Sequence, residues 1–211
     1  MDGPGIRPAL WAMGQRLADD GYVVLLPDMF YRTGSYEPMV PSEILADPER
    51  RAGMMKMVQA LNRDTKISDA QAFIDFLDAR PDVKGDRYGT TGYCMGGNVS
   101  LTVAAAFPER IVATASFHGG NLAAENPESP HHFAGAITSR VYVASAIEDS
   151  SFPDEQKVRL ERALEEAGVA HTIETYPARH GFAVPDMPTF DAMAADRHWA
   201  ALAQLFGSTL A

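Results

Sequence analysis

The chain has 211 residues, 46% hydrophobic and 22% charged, enough for one core and short of what two would need. A formal charge of -10 without a basic cluster opposes nucleic acid, and no apolar run approaches the roughly 18 residues that span a bilayer. With no basic-then-apolar leader and a single cysteine, the expectation is one domain, residues 1–211, in a reducing cytoplasm.

Leu10, Met13 and Leu17 recur at helical spacing within residues 7–19, and Gly21 then opens Tyr22-Val23-Val24-Leu25-Leu26, which reads as a buried strand stopped by Pro27-Asp28. Residues 31–48 hold three prolines and a glycine and suit a surface loop. Two helical patterns follow in residues 48–80. The second carries Ile67, Ala70, Phe73, Ile74 and Leu77 on one face, and Met54, Met55 and Met57 of the first read as core packing.

Residues 86–91 form a modest strand candidate. Residues 111–117, 140–144 and 172–176 are short, β-branched and bounded by turn residues, as buried strands are. Helical patterns at 98–107, 153–167 and 190–206 alternate with them, which predicts an α/β fold with a mostly parallel sheet and helices on both faces.

Between the fourth of these helical patterns and the strand before it stands Gly92-Tyr93-Cys94-Met95-Gly96. At a strand-to-helix turn this is the G-x-S-x-G arrangement of the α/β-hydrolase fold with cysteine replacing serine, the glycines standing where side chains would collide across the turn. A cysteine there also lies at a helix start, where free N–H groups favour the thiolate, and the Met95 N–H would form half of an oxyanion hole.

Such a nucleophile needs a carboxylate and then a histidine later in the chain. Asp149 follows the 140–144 strand, with Glu148 a close competitor, and His180 follows the 172–176 strand ahead of a glycine. His171, His131, His132 and His198 read as surface residues. His118-Gly119-Gly120 is like the oxyanion motif of esterases but follows the nucleophile; it reads as a turn or as a pocket wall in which His118 meets substrate. No spacing suits a metal or a phosphate loop, so no cofactor is expected.

Gly-Tyr-Cys-Met-Gly-Gly, Gly21-Tyr22 leading into Pro27-Asp28-Met29-Phe30, and Asp149 four residues before Pro153 resemble dienelactone hydrolases over nearly the whole chain. The resemblance implies a Cys94-Asp149-His180 triad that hydrolyses a lactone or enol ester. It further implies that Asp2 meets the resting nucleophile, that Gly3 supplies the second oxyanion N–H, and that Arg51 binds a substrate carboxylate; a second arginine of the family is Val184 here. Met1 falls where the family has already run several strands, so strands at the amino end are expected to be missing, roughly 30 residues for a complete sheet.

The expected activity is attack by Cys94 on a small-molecule ester or lactone, through a thioester, by a monomer or homodimer. The alternatives are a non-catalytic ligand-binding or interaction protein of the same fold and a thiol redox sensor, which would lack a resolving cysteine.

Overall fold

Pro8, placed where its missing N–H costs nothing, opens α1 (Pro8–Asp19), which buries the predicted stripe of Leu10, Met13 and Leu17. The structure, a computed structural model, describes residues 1–210. Residues 31–48 are less irregular than their prolines suggest: they contain a 3-10 turn at Tyr31–Thr33 and α2 (Pro41–Ala46), with Pro41 again in the first turn. Tyr31 and Arg32 both bond to the buried Asp69, which ties this segment down.

Asp47 caps α3 (Pro48–Gln59) by accepting from the Glu49 and Arg50 N–H groups, and Asn62 caps α4 (Arg63–Asp78) through Thr65. On α4 the predicted face holds, with Ala70 and Ile74 buried and Ile67, Phe73 and Leu77 half-buried. The methionine group is divided: no residue of α3 is fully buried, but Met57 packs half-buried against the core, whereas Met55 is 40% exposed. The helix lies outside the sheet layers, and Met54 is the side chain that reaches Gly3.

The sheet comprises β1 (Tyr88–Tyr93), β2 (Ile111–Phe117), β3 (Arg140–Ser145) and β4 (His171–Thr175), all parallel and adjacent in chain order. Crossovers of one hand between strands added in one direction must all lie on one face. Accordingly α5 (Met95–Ala106), the 3-10 segment Pro130–Ala136 and α6 (Asp154–Glu166) share a core with α4, through Leu101, Ala134, Leu160 and Leu164. The other face is left to the flanking helices, α1 and α7 (Ala192–Thr209), which bury Leu10, Leu202 and Phe206 against Ala113, Ala115 and Phe117. None of the described helices is long and apolar enough to cross a membrane.

One predicted strand is absent. Residues 22–26 join no ladder, and Val23 and Val24 are 45% and 36% exposed. Between them and β1, which is a sheet edge among the described residues, lies a cleft of about 510 Å³ lined by Val24, Leu25, Thr90 and Thr91.

His198 corrects another expectation. It is fully buried in α7, its Nε2 2.8 Å from the Tyr93 hydroxyl and its ring edge-on to Phe117. Burial lowers its pKa from 6.5 to about 3. The unfolded chain therefore takes up a proton below 6.5 that the folded chain refuses until about 3, and folding stability falls with pH across that window. Replacing His198 with Leu is expected to cost about 1–3 kcal/mol at neutral pH, by orphaning the Tyr93 hydroxyl. The same variant should show a shallower loss of urea midpoint between pH 6.5 and 4 than the native protein.

Candidate active site

The chain leaves β1 through Cys94 at φ 54° and ψ -121°, then enters α5 at Met95. An added Cβ at Gly92 would stand 1.9 Å from the Gly96 carbonyl oxygen, and one at Gly96 would stand 2.1 Å from the Met1 carbonyl oxygen. Only glycine meets both demands. Among the described residues, the four non-glycine positions of positive φ are Cys94, His118, Asn121 and Glu148, and each follows the carboxyl end of a strand, where strained backbone collects around functional groups.

The Cys94 backbone is held from several sides. Its N–H donates to the Phe117 carbonyl and to His118 Nδ1, both at 3.2 Å, and its carbonyl accepts from the N–H groups of Gly97 and Gly120. Its side chain stays partly exposed. Met95 begins α5, so its N–H has no acceptor within the helix.

His118 is 1% exposed, with its ring against those of His180 and Phe182, and supports the turn at Cys94 through its Nδ1. Desolvation holds its pKa well below 6.5, with the neighbouring His180 and His198 acting in the same direction. With Nδ1 accepting from Cys94, the neutral ring carries its proton on the unpartnered Nε2.

Asp149 and His180 meet across the ends of β3 and β4, with Asp149 Oδ2 2.7 Å from His180 Nδ1. Glu148 points outward and pairs with the exposed Arg179 instead. Asp149 Oδ1 accepts from the Ser151 N–H at 2.9 Å and its hydroxyl at 2.6 Å. Burial raises the Asp149 pKa, but the His180 and Ser151 contacts outweigh it and hold the carboxyl below its ordinary value. Burial likewise lowers His180, yet hydrogen bonding to Asp149 and to Cys94, with their negative charge, pushes it up to about 10. Ser151 was missed in the sequence, although Asp-x-Ser after a strand is an Asx-turn pattern.

Both oxygens of Asp2 are taken by Arg7, at 2.6 and 2.9 Å, and the pair is buried. Gly3 makes none of the loop hydrogen bonds through its N–H and lies beneath the Met54 side chain. Arg51 is exposed on α3, one turn before Met54 and on the same helix side. Val184 is fully buried. Arg7 and Asp186 carried no signal in the sequence.

A parallel sheet with helices on both faces, a glycine-flanked turn between β1 and α5, and an acid and a histidine in the loops after later strands have the arrangement of the α/β-hydrolase fold. A sequence model of the dienelactone hydrolase family matches residues 3–210, and the chain belongs to that family. A provisionally named carboxymethylenebutenolidase of Synechocystis sp. is 30% identical over 212 residues, covering 98% of this chain and 82% of its own. Among solved structures, the dienelactone hydrolase-like promiscuous phosphotriesterase P91 from metagenomic libraries is 26% identical with a TM-score of 0.74, covering 99% of this chain and 83% of its own. A provisionally named dienelactone hydrolase from Klebsiella pneumoniae shares the fold, with a TM-score of 0.83 at 21% identity over 98% of this chain and 83% of its own.

Because the folded value for His180 lies above 6.5, its pairing stabilises the fold fully below 6.5 and is lost as pH rises through about 10. Asp149→Asn is expected to bring the His180 titration, followed by NMR, back toward 6.5, and to flatten the native decline in urea midpoint between 6.5 and 10. Unchanged titration in the variant would contradict the pairing.

Proposed function

We propose that this protein hydrolyses a small-molecule lactone, enol ester or related carboxylic ester through a thioester on Cys94. The observation that carries the reading is one imidazole, His180, bonded to Asp149 at 2.7 Å, with the partly exposed Cys94 at the turn between β1 and α5. Cys94 attacks as thiolate with its proton resting on His180, and Asp149 fixes the ring through Nδ1.

The carbonyl oxygen becomes an oxyanion that accepts from the N–H groups of Met95 and Gly3. Collapse breaks the carbonyl–oxygen ester bond, and His180 protonates the departing oxygen. Water then attacks the thioester while His180 takes its proton, and Cys94 leaves as thiolate. A thiolate is itself a good leaving group, so the cycle favours substrates that release an enolate or another good leaving group over amides.

Arg51, exposed one turn from Met54, is the group proposed to receive a substrate carboxylate. A cytoplasmic setting would keep the one unpaired thiol reduced.

Brief exposure to p-nitrophenyl acetate should add an acetyl group to the Cys94 peptide, detected by mass spectrometry. Cys94→Ala should abolish the adduct and lower turnover by about 10³-fold or more. Full hydrolysis by Cys94→Ala would sink the mechanism.

A further inference from the structure

Arg7 uses every donor of its guanidinium. Nη1 and Nη2 reach the two oxygens of Asp2 at 2.6 and 2.9 Å, Nε and Nη2 reach the two oxygens of Asp186 at 2.7 and 2.8 Å, and Nη1 also reaches the Gly5 carbonyl at 3.0 Å. A guanidinium has five N–H groups in a fixed plane, and here none is left over.

These contacts join two loops that face the nucleophile from opposite ends of the chain. On one side, residues 2–5 form a turn closed by the Gly5 N–H on the Asp2 carbonyl, with Gly3 inside it, and the Met1 carbonyl is pressed against Gly96. On the other, Asp186 lies in the segment after His180. That segment is knitted by the Thr189 hydroxyl on the His180 carbonyl, the Met187 N–H on Val184 and the Asp191 N–H on Phe182.

A buried guanidinium between two carboxylates is a poor source of net stability, because desolvation consumes much of the attraction. It is a good source of fixed geometry, since the planar fork accepts carboxylates along set directions. We propose that Arg7 is a positioning residue, a staple holding the Gly3 N–H in register with Cys94 and His180. The inference rests on the hydrolase reading above and adds to it a residue that touches neither substrate nor the reacting atoms.

Arg7→Lys tests it, because lysine keeps the charge but not the planar fork. Turnover with p-nitrophenyl acetate should fall about 10²-fold, the scale of losing one oxyanion donor, with KM changed less than about threefold. Alkylation of Cys94 by iodoacetamide should keep its native rate, since the thiolate and His180 stay in place. Asp186→Asn removes one leg of the staple at a position that is 35% exposed, and decides the matter should Arg7→Lys not fold. In that variant turnover should fall about tenfold on folded protein, as for loss of a charged hydrogen bond.

Turnover within about twofold of native in the folded variants overturns the staple alone, as does an alkylation rate that falls in step with turnover. Native protein that never acylates Cys94 overturns both the staple and the hydrolase reading.

Discussion

The carboxyl edge of the sheet depends on one steric exclusion: no side chain fits at position 92 or at position 96. With both positions open, the chain can turn from β1 into α5 within a single residue and hold Cys94 at positive φ. That conformation brings three things together. The thiol projects from the sheet edge, the first free N–H of α5 stands next to it, and the Met1 carbonyl lies directly on Gly96, bringing Gly3 alongside. A methyl group at either glycine would separate them.

Around this turn each ionisable group is settled by a different balance. His118 and His198 are buried without a carboxylate, desolvation dominates, and both stay neutral. His180 is also largely enclosed, but Asp149 and Cys94 supply negative charge and acceptors, and the balance reverses. Three imidazoles within one cluster of rings thus differ by what they face, and the only one biased toward the cation is the one between Cys94 and Asp149. For Arg7 burial also opposes the charge, but the two carboxylates that enclose it outweigh that penalty.

Local pattern carried most of the fold. The Leu10, Met13 and Leu17 stripe, the run 111–117 and the glycine-flanked Cys94 each announce their structure within a few residues, because helix period, β-branching and turn sterics are local properties. The failures are all non-local. Residues 22–26 have a strand's composition, but pairing requires a neighbour, and among the described residues none lies beside them. Met55 of α3 is apolar without being covered, and His198 is polar yet buried because its Nε2 accepts from the hydroxyl of a tyrosine 105 residues earlier. Asp149 and His180 could be chosen by their place after strands, whereas Arg7 reaches across 179 residues to Asp186 with no mark in either segment.

In the proposed mechanism the same division separates bond-making from recognition. Cys94 and Met95 stand at the junction of β1 and α5, and Asp149 and His180 in the loops just beyond β3 and β4, where Asp149 is buried and bonded to His180. Arg51 and Met54 stand on α3, which has no fully buried residue and rests on the core through the half-buried Met57 and Val58, with Met54 over Gly3. A segment with so few buried contacts opens at low free-energy cost compared with the core. On the reading proposed above, the chemistry would therefore be set by parts that do not easily move, while Arg51, proposed to receive the substrate carboxylate, rides on a helix that can, and substitutions on α3 would alter what is bound without disturbing the turn at Cys94.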